Sequence, residues 1–383
     1  MERTVYDEDH ESFRKIIREF NEKEVAPVFA DWEKAGVIPR EFFRRLGDLG
    51  VLGFDVPEQY GGPGPTSFRY HAVISEEMSR AGVSWGHYGV NTGIVLPYLL
   101  RLATEEQKQR WLPGIVSGDL LLSIAMTEPG TGSDLAGIRT AARRDGDEYV
   151  VDGAKTFITG ASLSELIVTV CRTSPPSPDD RRTGLSLIVV ERNRDGFAVN
   201  RTLDKIGMKA SDTCEISYTG VRVPAANLLG EEGQAFRHLT SNLPRERLSI
   251  GVNSVSMANA ALRHTLAYVS DRTAFGQPLT GFQNTRFVLA ECAAEIEAAQ
   301  ALVDKGLEAD DAGTLGPADA AKIKLVGTET AGRVIDKCLQ LHGGYGYVLE
   351  YPIARLYADT RVNRIFGGTS EVMKTIIARS LGI

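Results

Sequence analysis

Four short stretches hold the side chains that could do chemistry. In IAMTEPGTGSDLAG, Ile124 to Gly137, the hydroxyls of Thr127, Thr131 and Ser133 stand among three glycines, on a loop that leaves a strand-like run. Amide N–H groups and hydroxyls placed so could hold the polar edge of a heterocycle, or a carbonyl. In DRTAFGQPLTGFQ, Asp271 to Gln283, Arg272 offers a planar fork suited to phosphate, Phe275 a face for a flat ring, and Gln283 a polar rim. Two glycine pairs, Gly343/Gly344 and Gly367/Gly368, bracket a helical pattern and would let backbone approach a ligand closely. Thr369 and Ser370 can cap the helix that follows the second pair. The fourth stretch, NLPRERLSIGV, Asn242 to Val252, carries Glu246, with Pro244 suited to the first turn of a helix. In that turn the helix dipole would stabilise its carboxylate, and burial would push its pKa the other way; the sign of the sum stays open. His342, beside the first glycine pair, has no partner visible in the sequence and reads as structural. Neither the phosphate-cradling G-x-x-x-x-G-K-[ST] loop nor the G-x-G-x-x-G dinucleotide turn is present.

The elements that must position these groups change texture twice. Before about residue 118 the pattern is helical: Phe13, Ile16, Ile17 and Phe20 recur at helical spacing, and Pro39 opens a segment carrying Phe42, Phe43, Leu46 and Leu49. From about residue 120, short β-branched runs such as LIVTVC and GLSLIVVE, broken by Gly, Asp and Pro, predict antiparallel strands in a sandwich or barrel. TSPPSPDDRRTG, Thr173 to Gly184, is a hairpin loop between two of them. From about Phe236 helical periodicity returns in four segments, Glu246–Asp271, Gln283–Ala309, Pro317–His342 and Ile353–Asn363, which suggests a helix bundle. The reading is α+β in three domains: 1–118 helical, 119–232 a β-barrel, 233–383 a four-helix bundle.

The chain has 383 residues, long enough for two or three domains. A net charge of -7 argues against a nucleic acid or an anionic membrane as partner. The four cysteines are far apart and form no C-x-x-C pair, so no metal site is expected. The N-terminal MERTVYDEDHESF lacks the apolar core of a signal peptide, and no apolar run reaches the roughly 18 residues of a membrane span, so a cytoplasmic protein is expected.

MTEPGTGSD, YVVDGAKTFITG, KIGMKASDTCEISYTGVRVP, DRTAFGQPLTGFQ and QLHGGYGYVLEYPIARLYADTRVNRIFGGTSE stand in one order along the chain. Together they resemble the acyl-CoA dehydrogenases over essentially the whole length. The resemblance implies a helical N-terminal domain, a middle β-barrel and a C-terminal four-helix bundle. It also implies bound FAD, a homo-oligomer that is usually a tetramer, an electron-transfer flavoprotein as acceptor, and desaturation of an acyl thioester, on CoA or an acyl carrier protein, to the trans-2-enoyl product. By position, Met126, Thr127 and Ser133 would line the flavin ring, with Phe157 and Thr159 behind it. Arg272, Phe275 and Gln283 would hold the pyrophosphate and adenosine, usually in the neighbouring subunit. Gln340, Gly343 and Gly344 would meet the adenosine half, and Thr369 and Glu371 would close over the cofactor. Ser133, Arg247, Phe366 and Gly367 would face the substrate.

Many members of that family keep their catalytic base in a Tyr-Glu-Gly-Thr turn. Here the turn reads Phe366-Gly367-Gly368-Thr369, with no carboxylate. The long-chain and isovaleryl branch instead ends a helix motif in Glu-Arg-Leu, matched by Glu246-Arg247-Leu248. Glu246 is therefore expected to be the base, reaching the point in space that Gly367 leaves bare. A flavin monooxygenase or oxidase on the same scaffold, or a non-catalytic flavoprotein that binds acyl thioesters, are the alternatives.

Overall fold

The computed structural model describes residues 3–383. Six α-helices come first: α1 (Glu8–Phe20), α2 (Phe29–Ala35), α3 (Arg40–Asp48), α4 (Arg69–Ala81), α5 (Leu96–Leu102) and α6 (Glu105–Val116). Asp7 starts α1 by accepting the His10 amide, and Thr104 starts α6 by accepting the Gln107 amide. The α5 helix continues out of a π-helical segment, Gly89–Val95, and takes Pro97 in its first turn, where a missing N–H costs nothing. Its Leu96, Tyr98 and Leu99 are buried.

The middle of the chain folds into an eight-stranded sheet. Its strands are β1 (Leu122–Ala125), β2 (Ala141–Asp145), β3 (Glu148–Thr159), β4 (Leu166–Arg172), β5 (Leu185–Glu191), β6 (Phe197–Thr202), β7 (Thr213–Pro224) and β8 (Leu228–Leu229). They run in the order β6-β7-β3-β2-β4-β5-β8, with β1 beside β4. The expected antiparallel pairing is corrected in one place, because the sheet is mixed. Two strands share one edge of β4 in parallel: β1 along Leu166–Thr169 and β2 at Arg172. Both β4 and β5 are buried along almost their whole length, so they read as continuous apolar runs instead of alternating ones. The Pro-rich loop from Thr173 to Gly184 joins them as a hairpin, and the Thr173 amide donates to the Gly184 carbonyl.

Three long helices follow: α7 (Ala235–Asp271), α8 (Gln283–Asp311) and α9 (Pro317–His342). A two-strand hairpin, β9 (Thr273–Ala274) with β10 (Gln277–Pro278), links α7 to α8. The fourth segment, expected over Ile353–Asn363, is α10 (Pro352–Thr360) with a 3-10 turn, Arg361–Arg364, and a further helix, α11 (Ser370–Ser380), follows beyond the glycine elbow. The start of α7 also differs from expectation. Pro244 lies inside the helix, which begins at Ala235. Ala235 and Leu239, one turn apart, are buried in a cluster with Tyr98, Leu99 and Leu112, and that burial outweighs the amide hydrogen bond a mid-helix proline gives up.

The α7 and α9 helices cross where glycines meet. A Cβ on Gly251 would lie 2.7 Å from Ile323 Cγ2, and one on Gly327 would lie 3.2 Å from the Gly251 carbonyl oxygen. Small residues at the crossing let the two backbones approach, which fixes how α9 sits over the turn of α7 that carries the charged residues 245–247. Gly251→Val forces extra methyl groups into this crossing and is expected to cost about 1–3 kcal/mol. Thermal unfolding of the FAD-loaded protein checks it: a midpoint equal to that of the parent would contradict the close approach.

Candidate active site

Glu246 is buried about three turns inside α7, at 5% exposure, and not in a first turn. The helix dipole expected to steady its charge is therefore out of reach. Burial dominates and raises its carboxyl above the usual range; the Asn242 and Tyr98 hydrogen bonds, then the charges of Arg247 and Arg101, pull it part of the way back. The Asn242 Nδ2 and the Tyr98 hydroxyl each donate to Oε1, both at 2.9 Å. Asn242 stands four residues earlier on the same helix, whereas Tyr98 comes from α5 in the N-terminal domain.

Two buried cations follow, Arg247 beside this carboxylate and Lys324 near Arg247. Arg247 is 5% exposed, and its Nε is buried with no hydrogen-bond partner. Lys324, on α9, is 1% exposed and donates from Nζ to the carbonyl of Gly368. Burial, with the positive charge of Arg247 adding to it, lowers the Lys324 amine to about 8. The elbow Lys324 grips has φ of +62° at Gly367 and +98° at Gly368, a region that favours glycine. A Cβ at position 367 would lie 2.5 Å from Ile250 Cδ1 and 3.8 Å from Lys324 Cε. Ile250, one turn beyond Glu246 on the same helix face, thus fills the space that was expected to be kept free for Glu246. The bare elbow makes room for Ile250.

The sheet presents a second group. The loop after β1 is strapped to β3: Lys155 Nζ donates to the Met126 carbonyl at 2.9 Å and to Glu128 Oε1 at 3.0 Å, and the Thr156 amide donates to the Thr127 carbonyl at 2.9 Å. Glu128 in turn accepts the Arg139 and Thr140 amides. Met126 packs on the same apolar cluster as Tyr98 and Leu239, so this loop and the α5–α7 contact share one core. Ser133 is exposed, Thr127 and Thr159 are half-buried, and Phe157 is 64% exposed with φ of +60°. An exposed aromatic ring held in a costly backbone conformation suits a flat partner.

A third group lies at the far end of α7 and α9. Arg272, Gln340, Gly343, Gly344 and Tyr345 line a cleft of about 620 Å³. The Arg272 guanidinium sits 5.5 Å over the Tyr345 ring, and neither glycine of the pair has an atom within 4 Å of where a Cβ would be. Phe275, at the tip of the β9–β10 hairpin, is 96% exposed with φ of +51°. Gln283 is exposed at the start of α8. His342 is structural: its Nδ1 faces the Cys338 carbonyl at 2.9 Å, and its ring stacks on Tyr268. Thr369 caps α11 by accepting the Val372 amide, Glu371 is exposed in that first turn, and Phe366 is 40% exposed beside the elbow. These residues fit a flavin dinucleotide: an exposed ring and strapped loop on the sheet, an unpartnered buried Arg, and an open phosphate-suited cleft. Tyr98, Asn242, Lys324 and the Glu128–Lys155 pair escaped sequence reasoning. Asn242 had a signal, its four-residue offset from Glu246; Tyr98 lies 148 positions from Glu246 and had none.

Comparison with known proteins agrees along the chain. Family models described as acyl-CoA dehydrogenase N-terminal, middle and C-terminal domain match residues 7–119, 123–221 and 233–382. The long-chain specific acyl-CoA dehydrogenase of Sus scrofa mitochondria is 39% identical over 379 residues, covering 99% of this chain and 88% of its own. The crystal structure of an acyl-CoA dehydrogenase from Geobacillus kaustophilus superposes with a TM-score of 0.97 at 46% identity, over 100% of both chains. A glutaryl-CoA dehydrogenase from Mycobacterium smegmatis, solved in complex with FADH2, gives a TM-score of 0.90 at 28% identity, covering 98% of this chain and 95% of its own.

The steric part of the elbow can be separated from its backbone part. Gly367→Ala is expected to lower stability through both the overlap with Ile250 and a positive-φ penalty of roughly 1 kcal/mol. Adding Ile250→Ala should relieve the overlap and leave the backbone penalty. A double-mutant cycle on unfolding midpoints checks this, with no coupling between the two positions as the contrary result.

Proposed function

We infer the mechanism from one premise: this chain belongs to the acyl-CoA dehydrogenase family. It is an FAD-dependent oxidoreductase acting on acyl-CoA. We propose that Glu246 removes the α-proton of a saturated acyl thioester, giving the trans-2-enoyl product. The observation that carries this is a buried carboxylate with a raised pKa and both of its hydrogen bonds on one oxygen. A thioester α-proton is weakly acidic, so its removal needs a base out of water, oriented before the substrate arrives. The missing carboxylate at Gly367 and the 39% identical long-chain relative support the branch whose base lies on the bundle helix, and a long-chain acyl-CoA as substrate.

FAD bound at the sheet face would supply the acceptor for the hydride that leaves Cβ. Thr127, Ser133 and Thr159 would orient its ring system against Met126 and Phe157, with Thr369 and Glu371 at the elbow side. Arg247, buried and unpartnered, would face the ring or the thioester as a fixed positive charge. The Arg272 cleft serves a neighbour. Between Glu246 and Asp271 α7 runs roughly 38 Å at 1.5 Å per residue, beyond the reach of one dinucleotide. Arg272, Phe275, Gln283, Gln340 and the Gly343/Gly344 pair would therefore hold the adenosine end of a second subunit's FAD, so the active unit is at least a dimer and, by family resemblance, a tetramer. An electron-transfer flavoprotein is the proposed acceptor. Among the described residues no helix is long and apolar enough to cross a membrane. The four cysteines are free and buried, which fits a reducing compartment, and we place the enzyme in the cytoplasm.

Glu246→Gln keeps the shape and removes the proton acceptor. Anaerobic flavin reduction by palmitoyl-CoA should slow by at least about 10²- to 10⁴-fold, with FAD still bound. Reduction at the parental rate would remove Glu246 from the mechanism. Sharing of the cofactor between subunits has its own test. Arg272→Ala alone should lose FAD affinity through the missing phosphate contact. Co-expressed with Glu246→Gln chains, it should regain activity in mixed oligomers, because one site then draws an intact Glu246 and an intact Arg272 from different subunits. No recovery in purified mixed oligomers would place the whole cofactor on one chain.

A further inference from the structure

We propose that Tyr98 and Asn242 are positioning residues for the base: together they hold Oε1 of Glu246 and leave Oε2 to take the α-proton. This rests on Glu246 being the base. The geometry is specific. The Tyr98 hydroxyl has a single proton and two acceptors in reach, Glu246 Oε1 at 2.9 Å and the Leu239 carbonyl at 3.4 Å. The shorter bond, to the charged group, takes it. Asn242 has two amide protons on Nδ2, and it meets both Glu246 Oε1 at 2.9 Å and the Ile94 carbonyl at 3.3 Å. Asn242 is thus anchored to the backbone of the π-helical segment that leads into α5 while it holds the carboxylate, and the Tyr98 proton goes to the carboxylate alone. Two donors on one oxygen fix the carboxylate plane about its last torsion, and the remaining oxygen is directed without a competing hydrogen bond.

The same bonds set the charge state. Burial favours the neutral acid, which is useless as a base, and donors that favour the anion oppose it. The other charges near Glu246 are Arg101 on α5 and Arg247 on α7, with Lys324 on α9 beyond Arg247. On the neighbouring position of the same turn, Arg245 is paired with Asp55 and with Asp310 on α8. His71 on α4, lowered to about 4 by burial, stays neutral across the working range. Burial also raises the Tyr98 phenol well above its ordinary value, so it remains a donor throughout. His238, one turn before Asn242 on α7 and close to Arg101, is also lowered below its ordinary value by burial and by the charges of Arg237 and Arg101.

Tyr98→Phe removes one donor and almost no volume. A donor that favours the anion holds the pKa down, so losing it raises the pKa of Glu246 and moves the acid limb of kcat/KM to higher pH. The expected displacement is about one pH unit, the size of a single hydrogen bond to a buried charge. The measurement is the pH profile of kcat/KM for FAD-loaded enzyme, with the fastest of butyryl-, octanoyl- and palmitoyl-CoA. Asn242→Ala should move the limb in the same direction and gives the reading if the Phe variant does not fold. A limb that stays at the parental pH, or a loss equal at every pH, overturns the proposal and makes Tyr98 a packing residue. Glu246→Gln run alongside separates the two claims. If it keeps the parental rate, the base assignment has failed; if it is inactive and the limb of Tyr98→Phe is unmoved, only the positioning role has.

Discussion

A carboxylate that is to act as a base on carbon must leave water and yet stay ionised, and those two demands oppose each other. Taking an unpaired anion into an apolar interior costs several kcal/mol, and proteins ordinarily avoid it by protonating the group. Around Glu246 the cost is offset from three directions. Tyr98 arrives from α5, Asn242 from the preceding turn of α7, and Arg247 from the next residue. Each lowers the pKa only part of the way, and against burial the carboxyl stays above its ordinary range. The early start of α7 places one of these donors. Starting at Ala235 instead of Pro244, it carries Asn242 and Leu239 in regular register with Glu246, and buries its first turns against the N-terminal domain and the sheet.

The glycine elbow is the complementary part. With φ positive at both Gly367 and Gly368, it closes over Ile250 and is gripped from below by Lys324 through the Gly368 carbonyl. A buried lysine lowered to about 8 is still mostly charged at neutral pH, and its bond to a backbone carbonyl is correspondingly strong. The elbow thus owes its shape to α9, and α9 owes its height over α7 to the crossing at Gly251 and Gly327. The elbow over Ile250, one turn from the proposed base, is therefore held by small residues at the crossing of two helices.

Much of this was legible in the sequence because it is local. The change from helical to strand periodicity near residue 120 and back near residue 236, the loop with Thr127 and Ser133, the glycine pairs, and the Glu-Arg-Leu triplet are all written in short windows. Burial misled where it overrode local chemistry. Pro244 looked like a helix start, and only the tertiary burial of Ala235 and Leu239 shows that it is not. Parallel pairing of β1 with β4 was hidden because both runs are buried almost throughout and show no alternation that would set a direction. Gly367 was read correctly as bare, for the wrong neighbour: which side chain fills a gap depends on the crossing of α7 and α9. Tyr98 was invisible, since a buried tyrosine in an apolar helix looks like any core aromatic until its hydroxyl has an acceptor from 148 residues away.

The proton removal proposed for Glu246 can be watched apart from hydride transfer. A 3-thia-acyl-CoA has sulfur in place of Cβ and no hydride to give, so with it the FAD-loaded enzyme can exchange only the α-proton. In deuterated buffer the parent protein should exchange one α-hydrogen of the bound analogue for deuterium, and Glu246→Gln should leave the analogue unlabelled over the same time while still binding it. Equal labelling by the two proteins would contradict the assignment of the base to α7.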